Sequence, residues 1–181
     1  VTGEAQSQES TVDALLTSHI RYQGLQGNIR STTRPISLDP QAFRLLMDLD
    51  PLGAWRQNGG LMISDSLGSQ ALRYFYDPTG NTFNTRQVAL DAFFAGNDIL
   101  YLGDFVDNTF PDSFSTIKNT LSFFAQKYRE DQTFAERVDE SVIRILAKKF
   151  AMYDQFELSD ITVPQNSLSA FEEKSQIASE V

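Results

Sequence analysis

Three short apolar runs constrain the fold of this chain more than any other feature. They lie at residues 12–20, 61–64 and 99–102, and a segment with helical spacing follows each of them. Strands that alternate with helices form parallel sheets, because right-handed crossovers return the chain to the same end of the sheet. The sequence therefore predicts an α/β fold.

Two features mark the segment between the first and second runs. Residues 22–36 carry glycine and arginine without a clear period and are predicted to form a long loop. Asp39 followed by Pro40 predicts a helix N-cap with proline in the first turn. We expect this helix to end near Asp50, because the residue before a proline avoids the α conformation.

Further helices are expected in the rest of the chain. A short one is predicted around residues 71–75, and a longer one over 85–95 that stops at Gly96. Ser113 is the predicted cap of a third helix, and Thr133 opens a Thr-x-x-Glu capping box ahead of a fourth.

The two C-terminal helices carry apolar stripes at helical spacing, which predicts that these stripes belong to the core. The stripe residues are Ile117, Leu121, Phe124, Ala125 and Tyr128 in one helix, and Val138, Val142, Ile145 and Leu146 in the other. Residues 157–181 lack a clear period and are predicted to be a linker with a short helical end.

A carboxylate follows the second apolar run directly. Asp65 comes after Leu-Met-Ile-Ser and stands before a turn of small residues that ends at Gly68. Ligands of parallel α/β folds bind where the strands end, so Asp65 is a candidate catalytic residue. Its carboxylate is equally suited to capping the following helix, and the local sequence leaves the two interpretations open.

Other polar side chains follow the neighbouring runs. Asp104 comes after the third run, and pairs of carboxylates are the groups that glycosidases use. A solvated surface position is the favoured interpretation of Asp104. His19 ends the first run, where a histidine is either a hydrogen-bonded structural residue or a contact to substrate. Arg21, Arg30 and Arg34 could approach a ligand from the loop that follows.

Composition excludes several classes of function. The net charge of −9 disfavours binding to nucleic acid, because phosphates would be repelled. A chain with no cysteine and one histidine lacks the usual ligands of a metal centre. The sequence contains neither a glycine-rich phosphate loop nor the Gly-x-Ser-x-Gly motif of serine hydrolases. No apolar run reaches the roughly 20 residues of a membrane span, so a soluble chain is expected, and its compartment stays open.

Four motifs, taken in order, resemble the later part of the barrel domain of glycoside hydrolase family 3, especially its β-N-acetylhexosaminidase branch. The motifs are Leu-Leu-Thr-Ser-His-Ile at 15–20, Gly-Leu-Met-Ile-Ser-Asp-Ser-Leu at 60–67, Ala-Gly-Asn-Asp-Ile-Leu at 95–100, and the helical segment at 137–150. They resemble, respectively, the sixth strand, the seventh strand with the catalytic aspartate, the approach to the eighth strand and the helix that closes the domain.

This resemblance implies a partial TIM (β/α)8 barrel, consisting of about the last three βα units with closing C-terminal helices. Residues 1–156 would be the C-terminal portion of the barrel domain, and residues 157–181 a linker toward a missing second domain. Asp65 would be the nucleophile of a retaining mechanism, and His19 a rim residue near the bound sugar. Ser69 departs from the branch, which often has methionine at that position, and this leaves the exact sugar subtype open.

The implied reaction cleaves terminal β-linked N-acetylhexosamine, and it uses carboxylates and water without a cofactor or a metal. The acid/base of that branch lies on earlier strands, so the isolated chain is expected to be inactive. A partial barrel is also expected to associate with itself or with the missing N-terminal part of the barrel. Two alternatives remain, a β-glucosidase of the same family and a non-catalytic interaction module.

Overall fold

A computed structural model of the chain describes residues 11–110, 112–153 and 157. The chain divides into two compact units, Val1–Lys148 and Lys149–Val181. The sheet, the candidate site and the helices up to Lys148 belong to the first unit. The predicted linker at 157–181 lies outside the described residues except for Glu157.

Two parallel strands form the sheet. Strand β1 spans Ala14–Thr17 and β2 spans Leu61–Ser64, and their register pairs Ala14 with Leu61 and Thr17 with Ser64. The bounds of β2 are those predicted from the sequence, whereas β1 is shorter than the predicted run at 12–20.

The third predicted strand, 99–102, is a single parallel bridge between Ile99 and Ile63 instead of a regular strand. The Ser64 N–H donates to the Ile99 carbonyl at 2.9 Å, as in a parallel ladder. The next bond departs from the ladder, because the Tyr101 N–H donates to the Ser64 hydroxyl at 2.9 Å and not to a backbone carbonyl. A side chain thus replaces the backbone acceptor and interrupts the strand.

Seven α-helices and one 3₁₀ turn lie in the described part of the chain. The helices are α1 Gln23–Gln26, α2 Pro40–Met47, α3 Leu52–Gln57, α4 Gln70–Tyr76, α5 Thr85–Ala95, α6 Ser113–Glu130 and α7 Gln132–Phe150, and the 3₁₀ turn is Ile36–Leu38. The predicted loop at 22–36 therefore contains one helix. The sequence analysis also missed α3, which follows the end of α2 at Met47 after four residues and has Pro51 as its N-cap residue.

The helix ends confirm some of the predicted caps and correct others. Asp39 caps α2 by accepting the Gln41 and Ala42 N–H groups at 3.0 and 3.1 Å, as predicted, although α2 already ends at Met47. Helix α5 has the predicted bounds, and Gly96 terminates it with a positive φ of 132°.

The predicted caps of the last two helices are wrong. The carboxylate of Asp112, not Ser113, caps α6 by accepting the Ser115 N–H at 2.7 Å. At α7 the carboxylate of Asp131 accepts the Phe134 N–H at 3.0 Å, so Thr133 already lies inside the helix. Aspartate is a stronger N-cap than threonine, which explains the second correction.

The core lies on one face of the sheet, beneath the helices. Its larger cluster consists of Leu38, Leu67, Leu72, Phe83, Val88, Ala89, Ala92 and Phe105, and a smaller cluster of Phe43, Trp55 and Met62. Of the apolar stripe in α6, Ile117 and Phe124 pack on the larger cluster, but Leu121 and Tyr128 are exposed. Val142 and Leu146 of α7 are exposed as well, so the prediction that both stripes are core is wrong in part.

The opposite face of the sheet is largely uncovered by the described residues. Side chains alternate between the faces of a strand, so Leu16 and its partner Ile63 share this face. Leu16 is 56% exposed. By contrast, Met62 and Ser64 on the other face are buried.

A buried carboxylate, Asp98, connects the sheet to two helices. It accepts the Met62 N–H at 3.0 Å and the Ser141 hydroxyl at 2.9 Å, and Arg56 binds both of its oxygens. Arg144 also donates to it at 3.3 Å. Because Arg56 lies in α3 and Ser141 and Arg144 lie in α7, this cluster fixes both helices against β2.

Candidate active site at the carboxyl end of the sheet

Asp65 follows β2 directly and lies beside the carboxyl end of β1. Its backbone N–H donates to the Thr17 carbonyl at 3.1 Å, and the half-buried side chain accepts the Ser66 N–H at Oδ1, at 2.7 Å. Helix α4 begins only at Gln70, with Ser69 as its N-cap residue. Asp65 therefore does not cap α4, which removes one of the two interpretations that the sequence left open.

The turn after Asp65 is held against the neighbouring chain segment by several bonds. The Ser66 hydroxyl donates to the Gly103 carbonyl at 2.8 Å, and the Leu67 and Gly68 N–H groups donate to the Tyr101 and Gly103 carbonyls at 2.9 and 3.0 Å. Leu67 is fully buried. The backbone around Asp65 is thus fixed on both sides, which gives its carboxylate a defined position.

His19 supports this turn from the other side. Its Nε2 lies 2.9 Å from the Ser66 carbonyl, which can only accept, so Nε2 carries a proton. Its Nδ1 lies 2.8 Å from the Ser37 hydroxyl, which can donate to this nitrogen or accept from it. Both ring nitrogens are therefore engaged within the protein.

Asp104 is exposed, as the sequence analysis favoured. Its φ of 49° lies in the left-handed region, and its backbone carbonyl accepts the Arg73 guanidinium at 2.9 Å. The carbonyl also packs so closely on Gly68 that a Cβ at Gly68 would lie 2.2 Å from its oxygen. Asp104 thus contributes its backbone to the turn and presents its side chain to solvent.

The three loop arginines differ in their surroundings. Arg34 forms an ion pair with Asp91 at 3.5 Å, and Arg30 is exposed. Arg21 stacks on Phe75, with its guanidinium carbon 5.4 Å from the ring centroid. Only Arg21 also borders a large cleft next to His19.

Sequence reasoning missed a buried polar chain below the site. The Thr17 hydroxyl lies 2.6 Å from Asn97 Oδ1, and the Asn97 amide donates to the Ser37 and Ala92 carbonyls at 3.0 and 2.7 Å. Asn97 is fully buried. In the sequence, Asn97 was marked only by its position in the motif at 95–100 that resembles a family motif. Its spacing from other residues does not predict that it forms these buried hydrogen bonds.

Neither a family model nor a curated protein matches this sequence. Within residues 11–110, 112–153 and 157, no three histidine or acidic side chains gather as a metal site requires. The helices of the described part are too short or too polar to cross a membrane.

Proposed function

We propose that this chain is part of a retaining glycoside hydrolase of family 3, with Asp65 as the nucleophile. The observation that carries the proposal is the state of the Asp65 carboxylate. It is half-buried at the carboxyl end of a parallel sheet, held by one backbone N–H, and not used as a helix cap. Catalytic groups of parallel α/β folds occupy this position.

The order of the strands supports the barrel that the proposal requires. The strands β1 and β2 and the segment at 99–103 follow one another in sequence and are neighbours in space, all parallel. Consecutive strands of a (β/α)8 barrel are arranged in this way, with helices on the outer face only. The uncovered face that carries Leu16 and Ile63 would be the inner face of the barrel, covered by strands of the remaining units or by a second copy.

The proposed mechanism assigns separate tasks to the two oxygens of Asp65. The Ser66 N–H holds Oδ1, which leaves Oδ2 to attack the anomeric carbon of the sugar. The bond from that carbon to the leaving oxygen breaks, and an acid/base residue on an earlier strand protonates the leaving oxygen. Water then attacks the glycosyl-enzyme after giving a proton to the same residue, and Asp65 is released as a carboxylate.

The proposed substrate is a carbohydrate with a terminal β-linked N-acetylhexosamine, and a β-glucoside is the alternative within the family. A comparison of aryl β-N-acetylglucosaminide with aryl β-glucoside separates the two. The interaction-module alternative assumed that Asp65 caps a helix, and α4 has a different N-cap residue.

The nucleophile is tested by trapping. In the complete barrel, a 2,4-dinitrophenyl 5-fluoroglycoside of N-acetylglucosamine is expected to label the peptide that contains Asp65, because its leaving group needs little help from an acid. Mass spectrometry of the digested protein identifies the labelled residue. Label on a different carboxylate, or none on a protein that turns over the substrate, contradicts the proposal.

A matched pair of variants tests the same role by kinetics. Asp65→Asn removes the negative charge with little change in shape and is expected to lower kcat by more than about a thousandfold. Asp104→Asn makes the same chemical change at an exposed position and keeps a residue that tolerates positive φ, so turnover is expected to stay within about twofold. Equal losses in the two variants would contradict the assignment of Asp65.

The proposal also predicts that the isolated chain of 181 residues does not turn over aryl β-N-acetylglucosaminides. The resemblance assigns the acid/base to strands earlier than those that residues 15–150 resemble. The measurement is the release of the aryl group by the purified chain, with the complete barrel as the positive control. Turnover by the chain alone would show that the acid/base lies within it.

A further inference from the structure

A cleft of about 990 Å³ lies beside the turn that carries Asp65. The chain that leaves β1, from His19 to Arg21, forms one wall, and Tyr74 and Phe75 of α4 form another. Its volume is that of a pocket for a molecule of the size of a disaccharide. His19 connects the cleft with the site, because its ring borders the cleft and bonds to the carbonyl next to Asp65.

The charge of this cleft is opposite to that of the chain. The chain carries a formal net charge of −9, yet among the described residues no aspartate or glutamate lines the cleft, and Arg21 is the only arginine or lysine that does. A single positive charge in such surroundings attracts an anion, and none of the described lining residues carries a charge that repels one.

The guanidinium of Arg21 is poorly satisfied by the protein. Its hydrogen bond within the described residues is a long one, 3.5 Å from Nη2 to the Ser31 carbonyl, and its Nε is buried without an acceptor. It makes no ion pair with any described carboxylate. The Phe75 ring meanwhile holds the group in place, so the side chain is ordered before a ligand arrives.

The remaining lining fits the body of a sugar. Tyr74 is 77% exposed and presents an aromatic surface, and Ile20 and Ile29 are exposed apolar side chains. Ser31 and Thr32 supply hydroxyl groups that can exchange hydrogen bonds with a sugar. Pockets that combine apolar walls with a few polar groups bind small molecules in a fixed orientation.

We propose that this cleft binds a saccharide that carries a carboxylate, with Arg21 on the carboxylate and Tyr74 against the sugar ring. The saccharide part of this inference rests on the proposed function, since the cleft adjoins the Asp65 turn. The inference that the ligand carries a negative charge rests on Arg21 alone. The cleft would then extend the site beyond the sugar that Asp65 attacks.

The test compares two sugars that differ only in the group at C6. Chemical-shift titration of the full chain with D-glucuronate and with D-glucose is expected to show at least about tenfold tighter binding of glucuronate, because the carboxylate gains charge-assisted bonds. Arg21→Gln is expected to remove this preference. Arg30→Gln, a matched loss of charge in the same loop at an exposed residue outside the cleft, is expected to keep it.

Tyr74→Ala tests the contact with the sugar ring separately from the contact of Arg21 with the carboxylate. Tyr74 is exposed, so its removal is expected to leave the fold unchanged and to weaken both sugars by a similar factor. Equal binding of glucuronate and glucose, or an unchanged preference in Arg21→Gln, overturns the assignment of Arg21. Inorganic sulfate that binds as tightly as glucuronate overturns the saccharide part. None of these readouts needs turnover, so failure here is distinct from failure of the Asp65 proposal.

Discussion

Within the described core, Asp98 is the buried carboxylate that forms ion pairs with several arginines. Burial by itself raises the pKa of its carboxyl, but hydrogen bonds from Arg56, the Met62 N–H and Ser141, together with the charge of Arg56, outweigh burial. The pKa therefore lies below the ordinary value of 3.8. A buried carboxylate in this state is kept ionised by its partners, and its removal leaves positive charges without compensation.

We expect Asp98→Asn to lower the free energy of unfolding by about 3 kcal/mol, because Arg56 and Arg137 would then be buried without their counter-charge. Chemical denaturation followed by the fluorescence of Trp55, the single tryptophan and a buried one, measures the change. Asp104→Asn is the control and is expected to stay within about 0.5 kcal/mol. A similar small change in both variants would show that the ion pairs of Asp98 contribute little to the free energy of unfolding.

The same carboxylate predicts a dependence of stability on pH. Because the folded pKa is lowered, the unfolded chain takes up the proton first as pH falls. The contribution of Asp98 is fully present above about pH 4 and is lost as the pH falls through the folded pKa. The difference in unfolding free energy between the wild type and Asp98→Asn is therefore expected to shrink from about pH 7 to about pH 3. A difference that is constant over this range would contradict the prediction.

At the scale of elements, the turn between β2 and α4 depends on close backbone packing. A Cβ at Gly68 would lie 2.2 Å from the Asp104 carbonyl oxygen and 2.4 Å from that of Gly103. These are backbone atoms, so the turn or the segment at 103–104 has to move to accept a side chain. The position of Asp65 thus depends on a glycine that lies outside the strand.

We expect Gly68→Ala to lower the free energy of unfolding by about 1–3 kcal/mol, because the added methyl group overlaps backbone. Gly24→Ala is the matched control, since a Cβ at Gly24 in α1 would meet nothing within 4 Å. That change is expected to be neutral or to stabilise by up to about 1 kcal/mol. Thermal unfolding of both variants measures the contrast, and equal effects would contradict the overlap.

Elements that depend on neighbouring residues alone were predictable. The bounds of β2 and α5 and the Asp39 cap were confirmed, because a short apolar run, a terminal glycine and a carboxylate before a helix act locally. The interruption of the third strand was not predictable, since it depends on a hydroxyl 37 residues away in sequence. For the same reason the sequence could not tell which part of the α6 and α7 stripes is buried.

At the scale of the whole molecule, the uncovered sheet face is the feature with the largest consequence. Exposed apolar side chains on a sheet are sites of association between chains. In the proposed barrel this face would be interior, and in the isolated chain it faces solvent. The isolated chain is therefore expected to associate with itself at micromolar concentration.

Leu16→Glu places a charge on this face and is expected to shift the chain toward the monomer. Leu45→Glu is the matched control, since Leu45 on α2 is 49% exposed and lies off the sheet. Light scattering over a range of concentrations measures the molar mass. A wild-type chain that stays monomeric, or equal effects of the two variants, would contradict association through the sheet.

The sequence by itself determined the alternation of strands and helices, the parallel order, and the placement of Asp65 at a strand end. These follow from local apolar runs and from the handedness of connections, which need no long-range information. Only the tertiary structure decided that Asp65 does not cap α4, that His19 is engaged at both nitrogens, and that Arg21 faces a cleft in whose lining the described residues include no carboxylate. Each of these depends on partners distant in sequence, which spacing along the chain does not specify.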